Sequence, residues 1–330
     1  MTSFLRRTDL WPVLLLPLIA LLGFLVVNSS STWLTLTLAG LAMGMMIFII
    51  ASGLTLVFGL MDVLNFGHGA FIGVGAYIAF SVLSVSAGLL LAPSLAANLA
   101  ALGVAVLAAL LGAGLLGLLF ERVLIRRVYG DHLKQILITM GGTIVIEQVL
   151  VMIWGPQELQ VVMPMALRGS FLFAGASVEK YRVLVVGVGL LLFAGMCALL
   201  MLTRLGFLVR AGVEDPEMVQ ALGYRIRRLF VGVFVLGSAL AGLGGAMWVL
   251  YRGTLSSNIG SELMIMVFVV IVIGGLGSIA GCFIGAILVA IVSNYVAFLV
   301  PNVAAASAIL VMVAVLIWRP NGLYPVVVKR

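Results

Sequence analysis

Few residues in this chain carry side chains able to do chemistry, and three of them stand close together. Asp62, Asn65 and His68 lie in Met61-Asp-Val-Leu-Asn-Phe-Gly-His-Gly69, between two apolar runs. Successive spacings of three would bring them toward one face of a helix, but Gly67 and Gly69 argue against a continuous helix. Polar groups between apolar segments face protein or a water-filled cavity. One reading is a lining or gating element. The other is a tight turn in which Asn65 caps the next helix and His68 is solvated. The broken segment as a whole favours a functional role.

Glu147 is the acidic residue set deep within an apolar run, 136–154. A mid-span carboxylate costs roughly 2.5–3.5 kcal/mol on insertion scales, so it needs a partner or a proton. Thr143, Gln148 or a neighbouring helix would supply the partner. The functional reading is solute or proton handling; the alternative is an interhelical hydrogen bond or contact with a second chain. A third cluster is Glu214-Asp-Pro-Glu-Met-Val-Gln-Ala-Leu-Gly223. Asp215 suits an N-cap, Pro216 the first helical position, Glu217 the first turn and Gly223 the left-handed site past the end, which predicts a two-turn helix. Met218, Val219, Ala221 and Leu222 give that helix an apolar side in a segment that should meet water. It is either a lid on the helix ends or a knob for a groove in another protein.

Other chemistries find no support. His132 sits beside Asp131 and Lys134 in a charged connection, and no serine–histidine or paired-aspartate constellation falls within the apolar runs. Cys197 and Cys282 lie in separate apolar runs without a partner at metal spacing, as packed thiols do. No Gly-Lys-Ser/Thr occurs, and the glycine clusters at 141–142, 237–245 and 274–281 follow no strand, so none is a phosphate loop. Their plain reading is close helix contact.

The elements that must position these residues are membrane helices. The 330 residues are 64% hydrophobic and 9% charged, against roughly 45–50% and 25% in soluble domains. Mean hydropathy is +1.32. A water-soluble globule and a disordered chain are both excluded, and the basic balance is a topology signal rather than a nucleic-acid footprint. Apolar runs fall at 10–27, 36–58, 69–92, 95–120, 136–154, 183–203, 229–251, 263–273, 279–300 and 303–318. Barrel-type alternation is absent. The expected fold is therefore an all-α polytopic bundle of about 8–10 transmembrane helices. It forms one domain over 1–330, with a cytoplasmic segment at 204–228. Arg6-Arg7 before the first run reads as an anchor rather than a cleaved signal. The run 263–273 is too short to cross alone and ends in Gly274-Gly-Leu-Gly-Ser278, the break of a discontinuous helix. Residues 155–182, with Pro156, Pro164 and Gly169, read as an irregular outer loop. With ten crossings, 14 of the 18 basic residues fall on the side of the N-terminus, which places it in the cytoplasm. Phe71–Phe80 echoes Phe283–Val292, each after a glycine-rich break, which suggests an internal repeat.

Several motifs carry a family resemblance. The acidic residue, short helix and glycine of 214–223 resemble the coupling motif of ABC importer permeases. Arg225–Trp248, with its Gly237-Ser-Ala-Leu-Ala-Gly-Leu-Gly-Gly245 core, is similar to the permease family for branched-chain amino acids. So are Gly53–Phe71 with Gly73 and Tyr77, Ile273–Gly281, and the ending Arg319-Pro-Asn-Gly-Leu-Tyr324. They follow the family's order over about 40–325 and resemble its LivH type most. The resemblance implies the membrane subunit of an ATP-driven importer in a bacterial inner membrane. Its partners would be a second related permease, two cytoplasmic ATPases that bind the ATP and magnesium, and an external solute-binding protein. This chain itself would need no cofactor and no metal and would be no enzyme. Glu214, Asp215, Pro216, Glu217, Met218, Leu222 and Gly223 would form the helix docked on an ATPase, although the wider importer motif is alanine-rich at the start. Asp62, Asn65, His68 and Glu147 are the pathway candidates. Relatives for urea or short amides, or an ion-coupled secondary transporter, are the alternatives.

Overall fold

The computed structural model describes residues 11–203, 206, 208, 211 and 216–325. Twelve helices over these residues carry the fold: α1 (Trp11–Val26), α2 (Ser30–Met61), α3 (His68–Val85), α4 (Ala87–Leu90), α5 (Leu95–Val123), α6 (His132–Trp154), α7 (Lys180–Leu202), α8 (Pro216–Ala221), α9 (Ile226–Arg252), α10 (Ile259–Gly274), α11 (Ile279–Leu299) and α12 (Ala304–Trp318). Eight spans are long and apolar enough to cross a membrane, the last being α12 together with the 3-10 turn before it (Pro301–Trp318, 18 residues), while α1 and α10 are shorter apolar helices. The chain is an all-α, multi-pass membrane bundle, and every apolar run has become a helix.

Local chemistry sets the helix starts. The side chains of Ser29, Ser94, Asp131 and Ser278 accept from backbone N–H groups in the first turns of α2, α5, α6 and α11. These are the donors a helix leaves unsatisfied, and Ser and Asp at the N-cap take them up. Helix α2, at 32 residues, is ~48 Å long, well beyond the ~30 Å of hydrocarbon. Helix α10, at 16 residues, reaches only ~24 Å.

The core sits where α9 packs on α2, α3 and α5, with α11 against the other side of α2, and glycine sets their spacing. A Cβ on Gly53 would stand 2.2 Å from the Gly237 carbonyl oxygen, and one on Gly245 2.0 Å from that of Ile72. The cluster at 237–245 therefore brings α9 against α2 and α3 backbone to backbone, which is the close-contact reading. Around this core, α6, α7, α12 and the outer face of α5 expose rows of large apolar side chains.

The break after α10 is real: the helix ends at Gly274, and Gly275 and Gly277 take φ of +94° and +78° before α11 begins. The 155–182 connection corrects the expectation of an irregular loop. It contains an antiparallel hairpin, β2 (Ser170–Phe173) with β3 (Ala176–Glu179). Ala174 and Gly175 both have positive φ, as a type I′ turn requires. The cue was weak because Ala-Gly is not the usual Asn-Gly signal. A second pair, β1 (Leu159–Gln160) with β4 (Thr254–Leu255), ties the same connection to the end of α9.

Candidate functional site

The segment 62–67 is not helical, and it separates the three residues that sequence spacing grouped. Asp62 closes α2 in the left-handed conformation (φ +52°), its N–H bonded to the Phe58 carbonyl at 3.0 Å. Its exposed carboxylate lies 3.7 Å from His132 Nε2, away from Asn65 and His68. Asn65 does not cap α3, whose N-cap is Gly67. Instead its Oδ1 accepts from the Gly67 N–H at 2.9 Å, closing a local turn. His68 is not solvated: it is fully buried, and its Nε2 lies 2.9 Å from the Ile50 carbonyl oxygen, so Nε2 carries the hydrogen. Asn65 Nδ2 and His68 Nδ1 have no hydrogen-bond partner among the described residues.

A non-helical stretch at membrane depth must satisfy its backbone elsewhere. Helix α6 does this with side chains at every fourth position. Gln135 Oε1 accepts from the Leu64 N–H and Thr139 Oγ1 from the Phe66 N–H, each at 3.1 Å. The Thr143 hydroxyl lies 3.3 Å from the Phe66 carbonyl oxygen. The break is thus latched to one face of α6. Sequence reasoning missed Gln135 and Thr139, and raised Thr143 only as a partner for Glu147. The missed signal was the recurrence of polar residues at 135, 139, 143 and 147 in an otherwise apolar helix.

Glu147 is the next step on that face. It lies well inside α6 and is half-buried, and of the partners expected it is the neighbouring helix, not Thr143 or Gln148, that supplies one. Ser261, in the first turn of α10, donates its hydroxyl to Glu147 Oε1 at 2.5 Å. Beside it Glu262 accepts from Asn258 Nδ2 at 2.7 Å. The starts of α3 and α10 also meet: a Cβ on Gly260 would stand 2.1 Å from the Gly69 carbonyl oxygen. Phe66 packs on Phe268 of α10, ring centroids 4.6 Å apart. The polar face of α6, the break and two helix N-termini therefore converge. Chemically, this pairs a carboxylate with the partial positive charge that aligned peptide dipoles leave at helix starts.

The second region is α8. Gly223 takes φ +87°. The Tyr224 N–H bonds to the Val219 carbonyl at 3.2 Å and the Gly223 N–H to that of Gln220 at 2.9 Å. This double closure is the Schellman stop expected of a glycine past a helix end. Val219 is buried while Met218 and Leu222 are exposed, so the short helix is anchored on one side and presents apolar side chains on the other. Pro216 and Glu217 lie in its helical backbone. Glu214 and Asp215 lie outside the described residues.

Comparison with known proteins agrees with this architecture. A family model described as the permease component of branched-chain amino acid transport systems matches residues 36–318. The high-affinity branched-chain amino acid transport system permease protein BraD of Pseudomonas aeruginosa is 28% identical over 291 residues, covering 86% of this chain and 93% of the relative. LivH of Escherichia coli strain K12, a permease of the same description, is 26% identical over 258 residues, covering 76% and 82%. A probable LivH permease of Methanocaldococcus jannaschii is 25% identical over 292 residues, covering 84% and 88%. No solved structure matches.

Proposed function

The chain belongs to the permease family of branched-chain amino acid transport systems, and from that premise we propose how its own residues handle a solute. The chain is a translocation subunit, and a permease is not in itself an enzyme. Its solute is an aliphatic amino acid in zwitterionic form, passing along the α6 face beside the broken segment. The observation that carries this reading is the pairing of Glu147 with the start of α10, which itself packs on the start of α3. Glu147, supported by Ser261, receives the ammonium. The helix starts at His68 and Ile259 favour the carboxylate. Phe66 and Phe268 offer an apolar wall for the side chain. Asn65 and His68, whose free polar atoms lie buried at the break, hold the segment and are released or re-paired when it moves. Urea and short amides carry no ammonium, so this arrangement favours an amino acid.

Energy comes from separate cytoplasmic ATPases that hold ATP and magnesium. The α8 helix is the contact to them, with Met218 and Leu222 entering a cleft and Gly223 ending the helix at the right length. The excess of basic residues on one side supports a cytoplasmic N-terminus in an inner membrane. A second related permease and an external binding protein complete the assembly.

The test is uptake of labelled leucine into right-side-out vesicles that carry the whole complex and enclose ATP. Glu147→Gln preserves the Ser261 hydrogen bond but not the charge. It should raise KM for leucine about tenfold, the scale of losing a charge-assisted contact, and leave basal ATP hydrolysis unchanged. An unaltered KM removes Glu147 from the solute site. Urea that competes as well as leucine removes the amino-acid assignment.

A further inference from the structure

Four arginines gather at the end of the bundle that also carries α8. Arg122 and Arg126 stand at the end of α5 and in the short 3-10 turn after it, and Arg227 and Arg228 in the first turn of α9. With Glu121 and Val231 they line a cavity of about 350 Å³. None of these arginines belongs to an ion pair among the described residues. Glu121 supplies the carboxylate of this lining, and it is buried, which sequence reasoning missed by ending the apolar run at 120. One of its oxygens accepts from the Tyr129 hydroxyl at 3.0 Å; the other has no partner. Burial, reinforced by the Glu121 charge, pushes the Tyr129 phenol above its ordinary range, so it stays a donor. Glu121 is thus the one carboxylate in a lining that carries four arginines.

The surroundings of this cavity are those of a membrane surface. Leu107, Leu111, Leu115, Leu119 and Val123 form an exposed row down the outer face of α5, at four-residue spacing, ending at Arg122 and Arg126. Across from it, Gly232 of α9 is exposed and a Cβ there would meet nothing within 4 Å. An apolar strip that must face acyl chains thus runs directly into a basic cavity. An acidic segment of a partner protein would match the arginines but not the strip beneath them.

We propose that this cavity binds the phosphate of an anionic phospholipid, with the acyl chains lying along α5 and α9. Basic pockets between membrane helices recognise such headgroups, and clustered arginines suit phosphate oxygens through paired N–H donors. Only the leaflet rests on the orientation proposed above. Because α9 begins just after the Gly223 stop, a lipid bridging α5 to α9 would also steady the base of α8.

Native mass spectrometry of the detergent-purified chain, incubated with phosphatidylglycerol, phosphatidylcholine or soluble glycerol phosphate, tests this independently of transport. The wild type should retain phosphatidylglycerol in preference to phosphatidylcholine. Arg126→Gln/Arg227→Gln should lower that retention about tenfold or more, given the attraction each juxtamembrane cation adds. Arg252→Gln, at the far end of α9, should not. Arg126→Lys/Arg227→Lys, which keeps the charge but not the paired donors, should retain phosphatidylglycerol at a level between wild type and the glutamine pair, and its undiminished retention would overturn the proposal if the glutamine pair does not fold. Equal retention of both lipids, or no loss in the folded glutamine variant, overturns the proposal. So does competition by glycerol phosphate, which would mark a free-phosphate site. Release of a co-expressed ATPase from the glutamine variant with lipid retention intact would mark a protein-docking site instead, and equally overturns it.

Discussion

Thr139 shows how little chemistry holds the broken segment. Its hydroxyl donates to the Gln135 carbonyl at 2.6 Å and accepts from the Phe66 N–H at 3.1 Å. Thr139→Val keeps the shape and strands a buried N–H, which should cost ~1–3 kcal/mol. Thr139→Ser should retain most of the stability. Thermal unfolding in detergent separates the two, and equal melting of the valine variant and wild type would mean that the latch is not holding the break. Glu147 is the contrasting residue at this scale. It is half-buried and already paired with Ser261, so Glu147→Gln should act on solute affinity far more than on folding.

At the scale of elements, glycine does two different things. In α8 it ends a helix: Gly223 sits at φ +87°, where any Cβ costs roughly 1–2 kcal/mol. Gly223→Ala should fray α8 and lower the yield of co-purified ATPase, while the membrane bundle melts as in the wild type. Normal ATPase recovery would detach α8 from coupling. Between α2 and α9, glycine instead permits contact. Gly53→Ala drives a methyl into the Gly237 carbonyl, whereas at Gly103 of α5 a Cβ meets nothing within 4 Å. The first change should destabilise by ~1–3 kcal/mol through overpacking. The second should be neutral or stabilising by up to ~1 kcal/mol through helix propensity. Similar melting of the two variants would contradict the packing described for the core.

For the whole molecule, the decisive contrast is between buried and bare helices. Helices α2 and α3 are largely enclosed, while α6, α7 and α12 are largely exposed. An apolar surface of this kind suits lipid, but α6 also turns Gln148 outward among Ile144, Val145 and Met152. An amide in hydrocarbon is costly without a partner, so this is the face that the proposed second permease should cover. Cysteines placed at Gln148 and along the partner should crosslink in native membranes, and cysteines at Leu111 of α5 should not. The reverse pattern would move the permease contact to α5.

The amino-acid sequence by itself determined the class of molecule, the number of apolar helices, the stop at Gly223 and the break before α11. Each of these depends on local composition, on caps or on backbone freedom, and local signals report such properties faithfully. Tertiary structure decided which polar residues meet. Asp62 parted from Asn65 and His68 because one left-handed residue turned it outward. His68 went into the core because Ile50, 18 residues away, offers it an acceptor. Glu147 found Ser261, 114 residues away, rather than its neighbour Gln148. Glu121 and four arginines formed a cavity only when α5 and α9 were packed side by side. Pairings between distant helices arise from packing geometry, which places side chains that no local spacing connects.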